Sequence, residues 1–159
     1  MTQSKKILGI DPGTARMGYG LIDHNNNKTR CIQYGVITTS PELDDASRLG
    51  LIHKELTNII TKNNPDLVAV EDIFYFKNQK TVVQVSQARG VALALASLHK
   101  KEYFSFTPLQ IKQAVTGYGR ADKNQVQEMV RILLGFAEKP EPDDAADALA
   151  VAICCAHTV

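Results

Sequence analysis

Four carboxylates stand where a hydrophobic fold normally has none. Asp11 closes the apolar run Ile7-Leu8-Gly9-Ile10, and Glu71 closes Leu67-Val68-Ala69-Val70. An unpaired charge at the end of a buried strand is costly, so it shifts its pKa or finds a partner. Each acid could instead cap a following turn. Asp11-Pro12-Gly13 is a good turn sequence by itself, so for Asp11 turn and function both stay open. The other two acids, Asp144 and Asp147, are three residues apart in a predicted helix. At about 100° per residue, that spacing puts them within about 60° of one face and ~4.5 Å apart along the axis. The helix dipole accounts for Asp143 and Asp144 in a first turn. It accounts less well for Asp147, which precedes the apolar run Ala148-Leu149-Ala150-Val151-Ala152-Ile153. No lysine or arginine follows Lys139, so a hard cation is the simplest neutraliser, and an all-oxygen donor set suits magnesium or manganese. Two such ions about 3.5–4 Å apart can activate a water and stabilise the leaving oxygen of a phosphodiester.

The elements that must position these acids are legible in outline. Lys5 to Asp11 reads as a buried strand, Gly18 to Asp23 as a second and Arg30 to Thr38 as a third, with turns at Pro12-Gly13 and at Asn25-Asn26-Asn27. Ser40-Pro41 is expected to open a helix, with serine as N-cap and proline in its first turn. Its apolar face would carry Leu43, Leu49, Ile52, Leu56, Ile59 and Ile60, with one gap of six, until Pro65 ends it. A short strand, Leu67 to Val70, delivers Glu71. A long helix follows from about Gln79 to Lys100, then a fifth strand at Tyr103 to Phe106. Thr107-Pro108 caps a short helix, Asp122 with Gln125 opens another in capping-box spacing, and Pro142 starts the last. That order predicts a mixed five-stranded α/β sheet flanked by helices.

Bulk properties narrow the class. The chain has 159 residues, 44% hydrophobic and 22% charged, which suits one globular domain over 1–159. The run at Ile7–Ile10 is too short for a signal peptide, and Val91 to Leu98 falls well under the roughly 20 residues of a membrane span. Cys31, Cys154 and Cys155 are odd in number and lack CxxC spacing, so reduced, buried thiols in a cytoplasmic protein are expected rather than a zinc site. A net charge of +1 is low for a nucleic-acid binder, but an acidic metal cluster would mask a basic surface in the sum.

Taken together and in order, Gly9-Ile10-Asp11-Pro12-Gly13 with Gly18-Tyr19-Gly20, Val70-Glu71, Gln87-Ala88-Arg89-Gly90-Val91, and Asp144-Ala145-Ala146-Asp147-Ala148-Leu149-Ala150 resemble the RuvC family of Holliday junction resolvases. The resemblance covers essentially the whole chain. It implies a ribonuclease H-like fold, a homodimer, paired nicks across four-way junction DNA, two magnesium ions per site and association with a branch-migration complex. Asp11, Glu71, Asp144 and Asp147 match the family's metal-binding acids, Phe74 an aromatic set against junction bases, and Lys112 and Lys123 basic residues near the scissile strand. Two departures stand out. Asp143 adjoins the motif, so the register of the fourth acid is open, and the basic tail that some relatives carry does not follow the last helix.

Other features carry less. Phe74-Tyr75-Phe76 precedes Lys77, and strand alternation would leave at least one ring exposed; base stacking on such a ring contributes roughly 1–3 kcal/mol. Burial of all three rings is the plainer alternative. Lys77, Lys80, Arg89 and Arg120 are candidates for DNA backbone contacts, though each alone reads as a solvated charge. Gly117-Tyr118-Gly119 is expected to be a hinge. The helix around Gly90–Ala96 is apolar nearly all round, as a buried element or a dimer seam would be. Three rivals remain: an actin-like nucleotide-binding ATPase or sugar kinase, whose first phosphate loop Asp11-Pro12-Gly13-Thr14 resembles; a non-catalytic DNA-binding module; and an RNA-processing nuclease of related fold. Length argues against the first, which needs two such domains to close on a nucleotide.

Overall fold

The computed structural model describes residues 3–73 and 79–159. Five strands form one sheet: β1 (Lys5–Asp11), β2 (Arg16–Asn25), β3 (Lys28–Thr38), β4 (Leu67–Glu71) and β5 (Glu102–Phe106). Their order is β3-β2-β1-β4-β5, antiparallel from β3 to β1 and parallel from β1 to β5. The helices are α1 (Asp45–Asn63), α2 (Gln79–Leu98), α3 (Pro108–Thr116), α4 (Lys123–Leu134) and α5 (Asp143–Thr158).

Alternation along the central strands divides the core in two. Leu8, Ile10, Val68 and Val70 pack with Ile52, Leu56 and Ile60 of α1 and Ala88, Ala92 and Leu95 of α2. Ile7, Leu67 and Ala69 face the other way, onto α5, with α3 and α4 closing that side. Helix α5 is buried almost throughout, from Ala145 to Ala156 apart from Asp147, which is half-buried.

Three sequence-based expectations need correction. Helix α1 starts at Asp45, capped by Asp44, whose side chain accepts from the Ser47 amide at 2.7 Å. Ser40 instead heads a turn, its carbonyl accepting from the Leu43 amide, and Leu43 is left exposed. The gap of six between Leu43 and Leu49 marked that boundary. Gly117 is the left-handed C-cap of α3, with φ 77°, rather than a hinge. Cys154 and Cys155 are buried as expected, whereas Cys31, on edge strand β3, is only half-buried.

Candidate metal centre

The register of two parallel strands brings the first pair of acids together. Ile10 of β1 sits opposite Val70 of β4, so Asp11 and Glu71 are the next residues at the same end of adjacent strands. By the two-residue period they share a face with Gly9 and Ala69, the face on which α5 packs. The carboxyl ends of parallel strands in an open α/β sheet are where ligands usually bind.

Helix α5 supplies the second pair because it lies unusually close to the sheet. A Cβ on Gly18 would stand 1.9 Å from the Asp144 carbonyl oxygen, and one on Gly9 would stand 2.2 Å from that of Ala148. No side chain fits at either place. The glycines therefore let the helix backbone rest on β1 and β2, and its first turns end beside Asp11.

Asp11, Asp144 and Asp147 each offer an oxygen within 4.8 Å of the others. Burial pushes the Asp11 carboxyl up to about 9, with the neighbouring Glu71 charge, a hydrogen bond between the two, Asp147 and Asp144 adding to the shift. Burial also raises Glu71 and Asp147, against the opposing pull of Lys112 and Lys123 on the first and of Lys123 on the second. So much crowded negative charge is stable only if protonated or neutralised. A half-buried, all-carboxylate oxygen set at this spacing fits a hard divalent cation. Asp143 stands apart: it is exposed, accepts from Gln127 Nε2 at 3.0 Å and pairs with Lys123 at 3.3 Å.

The family model described as crossover junction endodeoxyribonuclease RuvC matches residues 7–155. The chain belongs to the RuvC family. The RuvC of Alkaliphilus oremlandii is 55% identical over 152 residues, covering 96% of this chain and 93% of that one. The RuvC of Clostridioides difficile is 49% identical over 152 residues, covering 96% and 90%. Among solved structures, T. thermophilus RuvC in complex with Holliday junction substrate superposes with a TM-score of 0.92 at 34% identity, covering 97% of this chain and 94% of that chain. The yeast mitochondrial Holliday junction resolvase Ydc2 shares the fold at a TM-score of 0.69 and 18% identity, covering 96% and 79%. The RuvC fold is the ribonuclease H-like α/β fold expected from the sequence.

Around the acids of this RuvC chain stand cations from three elements. Lys112 of α3 and Lys123 of α4 line a cavity of about 210 Å³ with Glu71, Asp147, Pro108 and Ile111. Lys123 Nζ lies 3.7 Å from Asp147 Oδ2, and nearby acids raise its pKa despite partial burial. Arg16, at the start of β2, places Nε 2.9 Å from Asp144 Oδ2. Sequence reasoning missed Arg16. Its one signal was its position soon after the Asp11-Pro12-Gly13 turn, where the returning strand must pass the site again. A larger cleft of about 440 Å³ between β3 and α1 holds Glu55 but no acid cluster, so the chemistry is assigned to the strand ends instead.

The remaining candidates scatter. Arg89 turns inward from α2, its Nη2 donating to Ser105 Oγ at 2.5 Å and pairing with Asp72 at 3.4 Å. Lys80 and Arg120 are exposed, on the first turn of α2 and between α3 and α4. Phe74 and Lys77 lie outside the described residues. Thr14 bears on the actin-like reading: its hydroxyl is buried and donates to the Gln84 carbonyl at 2.8 Å, so it is not presented to a phosphate.

Proposed function

We propose that this chain, as one nuclease domain, resolves four-way DNA junctions by paired metal-dependent nicks during recombination and repair. The observation that carries the reading is the convergence of Asp11, Asp144 and Asp147 within 4.8 Å beside Glu71, in a member of the RuvC family. The four acids would hold two magnesium ions, with manganese as substitute. When bound, such ions supply an activated water and stabilise charge on the leaving oxygen.

The chain's own residues do the rest. Asp11 and Glu71 are hydrogen-bonded to each other, and burial favours a proton on Asp11 that cation binding must displace. Lys112 and Lys123 border the acids on one side and suit a phosphate whose charge grows in the transition state. Phe74, in the segment after Glu71, is assigned to the junction bases, with Lys77, Lys80 and Arg120 as candidate backbone contacts, whereas Arg89 is held inside by Ser105 and Asp72. A pair of nicks needs two centres, and the described residues hold one cluster, which supports a homodimer. The exposed side of α2, with Val83 and Leu98, supports that helix as the seam. By family likeness a branch-migration complex is a further partner. The free thiols suit a cytoplasmic setting.

Cleavage of a four-way junction, a duplex and an RNA–DNA hybrid in magnesium tests the reading. Paired nicks in the junction alone are expected, lost on Asp11→Asn or Glu71→Gln with junction binding retained. Equal cutting of the hybrid would favour the RNA-processing rival, and near wild-type cutting by either variant would overturn the metal assignment.

A further inference from the structure

Three polar side chains are buried among the described residues, Thr14, Thr39 and Arg48, and all three belong to one hydrogen-bonded chain. Arg48 Nε, on α1, donates to Thr39 Oγ1 at 2.9 Å. Thr39 Oγ1 donates to the Thr14 carbonyl at 2.6 Å, and the Thr39 amide donates to the Ala15 carbonyl at 3.1 Å. Thr14 Oγ1 then donates to the Gln84 carbonyl of α2 at 2.8 Å. Among the described residues no carboxylate pairs with Arg48, which is 8% exposed.

Among the described residues the Arg48 guanidinium bonds only through Nε, and ordering so long a side chain costs more entropy than an apolar residue in the same space would. What such a network gives in return is one defined arrangement of the groups it joins. Here it grips Thr14 and Ala15, the middle of the loop between β1 and β2. Asp11 enters that loop and Arg16 leaves it paired with Asp144, so both ends of the gripped segment lie in the acid cluster.

We propose that Arg48 is a positioning residue of the metal centre, acting through Thr39 and Thr14 to hold the Asp11–Arg16 loop against α2. The proposal rests on reading the acid cluster as a nuclease centre. Its chemistry is that of a remote brace: loosening the loop lets Asp11 drift from Asp144 and Asp147, and small misplacements are amplified in rate.

The test compares Arg48→Met and Thr14→Val with the conservative variants Arg48→Lys and Thr14→Ser. Three quantities are read on folded protein: the single-turnover cutting rate at saturating junction, junction affinity without divalent cation, and the rise in melting temperature on magnesium titration. Arg48→Met and Thr14→Val should cut at least about tenfold more slowly and need several-fold more magnesium for half the thermal shift, with junction affinity unchanged. Thr14→Ser should restore both, and Arg48→Lys should restore them in part. Wild-type rate and magnesium midpoint in Arg48→Met and Thr14→Val would overturn the proposal, as would a lower melting temperature as their only effect. If the wild type takes up magnesium without cutting junctions, the functional reading fails, and the magnesium midpoint alone then decides the brace.

Discussion

Arg16 Nε lies 2.9 Å from Asp144 Oδ2, so an arginine from the second strand neutralises an acid on the last helix. The pair is partly solvated, with side chains 52% and 31% exposed, so its contribution to stability is small. Its effect on cation binding is larger, because Arg16 and a divalent ion compete for the same oxygen. Arg16→Gln should lower the magnesium concentration for half-maximal binding by about threefold while changing stability by under ~1 kcal/mol. Calorimetric titration of magnesium checks the first and thermal unfolding the second. A weaker magnesium affinity in the variant would show that Arg16 supports the metal site rather than competing for it.

The raised Asp11 carboxyl fixes a sign for the pH dependence of metal-free stability. Between the ordinary value of 3.8 and about 9, the native chain keeps a proton on Asp11 that the unfolded chain has lost. Stability therefore falls as pH rises through that window. Asp11→Asn should flatten this slope in chelator and leave the variant more stable than wild type at the alkaline end. Magnesium should raise the wild-type melting temperature more at pH 8.5 than at pH 6, since fewer protons compete. Melting curves in chelator and in magnesium at both pH values decide it, and a stability that climbs with pH in chelator would contradict the assignment.

Asp143 and Asp144 are neighbours with different surroundings. Asp143 is exposed and tied to Gln127 and Lys123, and those contacts lower its pKa. Asp143→Asn should leave cutting within a few-fold of wild type, whereas Asp144→Asn should reduce it by orders of magnitude with the fold intact. Magnesium-dependent junction cleavage by the two variants separates them, and the reverse pattern would mean that the register on α5 is wrong.

Helix α2 offers two leucines with opposite expected outcomes. Leu95 is 1% exposed in the core, so a charge there should cost several kcal/mol and unfold much of the protein. Leu98 is 72% exposed and Val83 55%. Leu98→Glu and Val83→Glu should keep the melting temperature and yield monomers that no longer nick in pairs. Sedimentation with a melting curve checks both, and fully dimeric charged variants would move the seam elsewhere.

Much of this architecture was legible in the chain itself. Short apolar runs bounded by turn residues placed the five strands, and the caps at Thr107 and Asp122 opened α3 and α4 as expected, because both signals are local. The four acids also stood out, since each interrupts or closes an apolar run. The start of α1 was misplaced because Ser40-Pro41 is a credible cap, although the gap of six between Leu43 and Leu49 already pointed to a later start at Asp44. What no local signal could decide is which groups meet. Asp11 joins Glu71 through parallel pairing of strands far apart in sequence, and Asp144 joins them because Gly9 and Gly18 leave room for a helix backbone. Arg16 as the partner of Asp144 and Arg48 as the root of a buried network follow from the same long-range packing. Spacing along the chain determines the face on which a side chain lies; only tertiary contact determines what that face meets.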